Sequence, residues 1–214
     1  MILLLTGILA STVHVVSGPD HLAAVGPLAI ESQKKSWKIG LLWGLGHTFG
    51  VLIIGLFFLM FRDFIPIDAI SGYSESLVGI ILILIGFWAF YKIRKHNSSV
   101  HPHPHPHNHL HQYSRNTVAA ASVGILHGLA GVSHLLGIIP TLALPSKLDA
   151  SLYIAGFGVG TISSMIIFAS ILGHLSYSFS ENKKEKLLTS LQLTGGFAAV
   201  IVGIFWITNS ILQV

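Results

Sequence analysis

Two imidazoles and a carboxylate stand close together in the first apolar run of the chain. The stretch is His14-Val-Val-Ser-Gly18-Pro19-Asp20-His21, inside the run from Ile2 to Ile30. A second apolar run carries Trp43-Gly-Leu-Gly-His47-Thr48. A neutral imidazole offers a nitrogen to borderline dications such as Ni²⁺, Co²⁺, Cu²⁺ or Zn²⁺, and a carboxylate offsets part of their charge. Ionisable groups within membrane-depth segments are costly and point to function. His14, Asp20, His21 and His47 are therefore the expected metal ligands, and bound metal is expected as cargo, with no permanently held cofactor.

Spacing limits how His14 and His21 can act. In an unbroken helix seven residues rise roughly 10.5 Å, whereas metal–nitrogen bonds are near 2 Å. Either Gly18-Pro19 turns the backbone so that the rings converge, or the two histidines mark successive stations on a path. Pro19 gives no backbone N–H, and irregular backbone at membrane depth needs protein or water to cover it. Both readings place a polar pathway here, with Gly18 and Pro19 as the helix break at the site.

The elements that must hold these residues are membrane helices. The chain has 214 residues, 52% of them hydrophobic and only 9% charged, against about 25% charged in ordinary soluble domains. Mean hydropathy is +0.73. Cysteine is absent, which excludes disulfides, thiolate metal sites and thiol redox relays. A net charge of +4 fits cytoplasmic loops and no nucleic-acid partner. The N-terminal MILLLTGILAS lacks the basic start of a signal peptide and is read as a retained span.

Spans need about 20 mostly apolar residues. The runs 2–30, 37–61, 74–91, 117–144, 151–175 and 187–212 qualify, which predicts an all-α integral membrane protein of six helices. Lys34, Lys35 and Lys38 follow the first run. Lys92, Arg94, Lys95 and Arg115 follow the third, and Lys183, Lys184 and Lys186 follow the fifth. Basic loops stay inside. The expectation is a multi-pass plasma-membrane protein with both termini outside and the loop after the third span in the cytoplasm. That loop holds His101-Pro-His103-Pro-His105-Pro-His107-Asn-His109-Leu-His111. Its proline-rich, extended chain builds no core and suits an auxiliary metal buffer. His174, near the cytoplasmic end of the fifth run, reads as interfacial.

The chain also repeats itself. His14-x6-His21 aligns with His127-x6-His134, each with Gly at the fourth position after the first His. Gly44-Leu-Gly46 aligns with Gly156-Phe-Gly158, and Gly79-x6-Gly86 with Gly196-x6-Gly203. Three spans per half invert the second copy, a pattern of secondary transporters. The expected organisation is a first repeat over 1–95, a His-rich loop over 96–116 and an inverted repeat over 117–214. Helices 1 and 4 are expected to be broken, and His127 and His134 supply the counterpart of the first site.

These motifs resemble the nickel/cobalt permease family (NiCoT), most closely its short urease-associated nickel transporter branch (UreH-type). The resemblance spans nearly the whole chain and rests on Gly18-Pro-Asp-His-Leu-Ala-Ala-Val25 and Trp43-Gly-Leu-Gly-His47-Thr48. It implies metal recognition by His14, Asp20, His21 and His47, and cytoplasmic nickel chaperones or urease or hydrogenase maturation factors as partners. The spacing here is one residue longer than the His-x4-Asp-His of the larger permeases. Gly156-Phe-Gly158-Val-Gly160-Thr161 lacks the acidic residue of their Gly-Phe-Asp-Thr motif.

The sequence thus predicts a non-enzymatic permease importing a divalent transition metal, nickel ahead of cobalt. A dication moving inward gains about 4.6 kcal/mol per 100 mV of inside-negative potential. Rival readings are an exporter of the same ions, an intramembrane zinc metallohydrolase built on His14, Asp20 and His21, and a metal sensor using the loop.

Overall fold

A computed structural model describes residues 1–61, 67–98, 109–129 and 144–212. All regular structure among the described residues is helical: α1 (Ile2–Ser17), α2 (Pro19–Ser32), α3 (Ser36–Phe61), α4 (Ile67–Ser98), α5 (His109–Leu129), α6 (Lys147–Glu181) and α7 (Glu185–Leu212). A short 3₁₀ turn, Gln33–Lys35, joins α2 to α3. Four stretches among the described residues are long and apolar enough to cross a membrane: Pro19–Leu56, Glu75–Lys95, Lys147–Glu181 and Glu185–Ile211. The 16-residue α1 is apolar but shorter. The later half of the fourth predicted span, with Pro140, lies outside the described residues.

Several helices run beyond the apolar stretches that announce them. Helix α4 continues to Ser98, α5 begins at His109 ahead of the apolar run at Thr117, and α6 spans Lys147–Glu181. Hydropathy marks the part of a helix that meets lipid, while Lys, Arg, Gln and Glu sustain a helix in water.

The chain direction changes at Gly18. Its backbone is extended (φ −88°, ψ 98°), and its N–H donates to the His14 carbonyl, closing α1. Pro19 occupies the first position of α2, where its missing N–H is no loss. Asp20 falls in the first turn, where a carboxylate complements the helix dipole. At the other end Gln33 turns the chain with φ 47°.

Helix α2 is the central element. Asp20, His21 and every residue from Ala23 to Ile30 are buried, and α2 contacts α3, α4, α5, α6 and α7. Around it, α1 packs on α6, α3 on α5 and α6, and α4 on α7. Small residues permit the close approaches. A Cβ at Gly128 would lie 2.9 Å from the Val51 nitrogen, and one at Gly79 would lie 2.6 Å from the Gly203 carbonyl oxygen. The outward faces are apolar, with Leu84, Phe87, Ile167, Ile171, Ile201 and Phe205 exposed. An interior of small and apolar residues with a few buried polar groups, inside an apolar exterior, suits a lipid surrounding.

Candidate metal centre

Four helices deliver side chains to one point beside the break. His14 comes from the last turn of α1, and Asp20 and His21 from the first turn of α2. His47 comes from α3 and His127 from the last turn of α5. Asp20, His21, His47 and His127 are each at most 3% exposed. The His14 and His21 ring centroids are 4.7 Å apart, far less than the roughly 10.5 Å that seven residues of continuous helix would impose. His21 lies 5.2 Å from His47 and 4.8 Å from His127 by ring centroid.

The carboxylate ties two imidazoles. Asp20 Oδ1 is 3.1 Å from His21 Nδ1, and Asp20 Oδ2 is 3.0 Å from His127 Nε2. A carboxylate beside a metal-binding imidazole helps fix the ring's orientation and raises its basicity. Two donor sets result. The ligand atoms of His14, His21 and His47 lie within 4.8 Å of one another, and so do those of Asp20, His21 and His127. His21 belongs to both. Two nitrogens on one ion sit at most about 4.2 Å apart, so only small shifts would close either set around a dication.

Local packing explains the convergence. A Cβ at Gly18 would collide with the His21 ring and lie 2.9 Å from Asp20 Oδ1. A Cβ at Gly124 would lie 3.1 Å from the His47 backbone nitrogen. Glycine at these points leaves room for the His21 ring beside the break and lets α5 press against α3, which brings His127 to His47, 5.7 Å apart by ring centroid.

Aromatic residues wall the centre. Trp43 is fully buried and stacks on His47 with centroids 4.9 Å apart and planes 7° apart. It also meets the edges of His21 at 5.6 Å. Phe157 lies 5.9 Å from His14. Trp43 stands one turn before His47 in the sequence, which places both on one helix face. Of the other residues proposed from sequence, His134 and His101, His103, His105 and His107 lie outside the described residues. His109 and His111 open α5. His174 is exposed on α6.

The fold and the cluster define a helical membrane protein whose interior carries a four-histidine, one-aspartate centre. The family described as cytochrome C biogenesis protein transmembrane region matches residues 2–205, and the chain belongs to that family. This chain carries no cysteine, so the cluster contains no thiol. The urease accessory protein UreH of Bacillus sp. (strain TB-90) is 32% identical over 198 residues, covering 89% of this chain and 84% of the relative. Chloroplast protein FOR GROWTH AND FERTILITY 1 of Arabidopsis thaliana is 31% identical over 212 residues, and FOR GROWTH AND FERTILITY 2 is 32% identical over 207. Each of these alignments covers 93% of this chain, which spans 57% and 54% of the two plant proteins. No solved structure matches the chain.

Proposed function

We propose that the chain is a permease of the nickel/cobalt type that moves a divalent transition metal, nickel ahead of cobalt, into the cytoplasm. The observation that carries this reading is the convergence of His14, Asp20, His21, His47 and His127 from four helices inside an apolar exterior. Imidazole-rich donors suit nickel, cobalt and zinc better than magnesium or calcium. The relationship to a urease accessory protein favours nickel. In the same reading the chain sits in the plasma membrane with its termini outside. Its His-rich loop between α4 and α5 hands the ion to cytoplasmic nickel chaperones or maturation factors.

The packing supports two inverted repeats, 1–95 and 117–214, on either side of that loop. Exchanging the first span with the fourth, the second with the fifth and the third with the sixth leaves the three most extensive pairings unchanged. The first packs on the fifth (α1 on α6), the second on the fourth (α3 on α5), and the third on the sixth (α4 on α7). The glycines agree. Gly79 faces Gly203 and Gly86 faces Gly196, with added Cβ atoms 2.6 and 2.7 Å from the facing carbonyl oxygens. In this reading His127 and His134 are the second repeat's sequence counterparts of His14 and His21.

The membrane potential supplies the driving force, about 4.6 kcal/mol per 100 mV for a dication. The test is metal accumulation in cells overproducing the protein, with cobalt and zinc as competitors. Raised cellular nickel is expected; lowered nickel would make the protein an exporter and overturn the import reading.

A further inference from the structure

Helix α2 carries a second carboxylate on the face that bears Asp20. Asp20, Ala24, Pro27 and Glu31 follow one another at intervals of four, three and four residues, the spacing of one helical stripe. The two acids are separated by about 16 Å of helix rise, with only the small Ala24 and Pro27 between them. Glu31 lines a cavity of about 180 Å³ together with Pro27, Ile30, Trp88, Lys92 and Gln192. Its side chain is 17% exposed.

The position of Glu31 is electrostatically adverse for a lone acid. It stands in the last turn of α2, which ends at Ser32, and carboxylates there oppose the negative end of the helix dipole. Carboxylate and dipole together make a basin for a cation, and a cation is in it. Lys92 Nζ, from α4, donates to Glu31 Oε1 at 2.6 Å and lies 5.3 Å from the Trp88 ring centroid. The ammonium is tethered to the protein and occupies the place of a free cation.

We propose that Glu31 is a second cation station, at the Lys34–Lys38 end of α2, and that the Lys92 ammonium keeps it filled until an arriving, partly hydrated dication displaces it. This inference rests on the permease reading. A nitrogen-rich centre holds a borderline dication tightly. A single carboxylate with the Gln192 amide and water holds it weakly, and an ion path needs a last site weak enough to leave.

The test uses the full-length chain in micelles, dialysed to equilibrium against nickel in native, Lys92→Met and Lys92→Met/Glu31→Gln forms. Lys92→Met is expected to bind a further nickel ion per chain, and the double variant to lose it. In liposomes, Glu31→Gln is expected to slow nickel flux about tenfold while Lys92→Met does not slow it. A pair that merely clipped α2 to α4 would be lost equally in both variants. Equal nickel binding in the three forms, or equal loss of flux in Glu31→Gln and Lys92→Met, would overturn the proposal. Failure of the permease reading shows separately, as nickel flux unaffected by His21→Ala, because the dialysis comparison needs no flux.

Discussion

Asp20 Oδ2 lies 3.0 Å from His127 Nε2 and so joins the first turn of α2 to the last turn of α5. The other oxygen of the same carboxylate is 3.1 Å from His21 Nδ1. One buried acid thus orients an imidazole from each half of the chain. In this account Asp20 sets the direction of the nitrogens that meet the metal, and in one of the two donor sets is a ligand itself.

Asp20→Asn keeps the shape of the side chain and removes its charge. Loss of a carboxylate that orients metal-bound imidazoles costs about 10–100-fold in metal affinity. Nickel titration of the purified chain by calorimetry should show a loss in that range. Native affinity in Asp20→Asn would mean that the carboxylate neither binds nor orients.

Gly18→Ala tests the helix break. The new methyl would meet the His21 ring and lie 2.9 Å from Asp20 Oδ1, so the His21 ring must shift from its place in the cluster. Circular dichroism should report native helix content while nickel binding weakens by about tenfold or more, the scale on which ligand misplacement acts. A variant that binds nickel normally would show that the close approach at Gly18 is incidental.

Gly128→Val probes the α3–α5 contact. The added side chain would be forced against the Val51 nitrogen and the Gly50 Cα, which an added Cβ already approaches to 2.9 and 3.1 Å. Overpacking of this kind costs about 1–3 kcal/mol. Thermal unfolding in detergent should show a lowered midpoint, with nickel affinity falling alongside because His127 is carried away from His47. An unchanged midpoint would contradict the packing described for these helices.

Much of this arrangement is legible in the sequence, and the missing part has a physical cause. Apolar runs mark the helices, but they stop where lipid stops, so the polar ends of α4, α5 and α6 extend past them. Gly18-Pro19 marks the break, yet His14-x6-His21 alone leaves convergence and separate stations equally open, because spacing does not fix the direction of the chain after a break. The meeting of His47 with His127 depends on which helices pair. Gly46, Gly50, Gly124 and Gly128 are visible as glycines, but nothing local says that α3 and α5 meet along them. Trp43 is one turn from His47, and its stacking could have been read from that spacing. Glu31 and Lys92 lie on separate helices, α2 and α4, and their pairing is a product of tertiary packing.

Removal of residues 101–108 separates an auxiliary buffer from the transport centre. The Pro-rich histidines lie apart in sequence from the buried cluster. Radiolabelled nickel uptake by the shortened chain should stay within about twofold of native, since every ligand of the buried cluster lies outside the removed segment. Abolished uptake in a correctly inserted chain would assign the loop a direct part in transport.

The central claim is that the ion crosses through the His/Asp cluster, and His21, shared by both donor sets, tests it most directly. Native and His21→Ala chains are reconstituted in liposomes under an inside-negative potential, and uptake of radiolabelled nickel is followed at matched protein density. The account predicts rapid uptake by the native chain and a fall of at least about tenfold in His21→Ala, the loss expected when a metal ligand or its orienting partner is removed. Equal uptake by the two chains would contradict it.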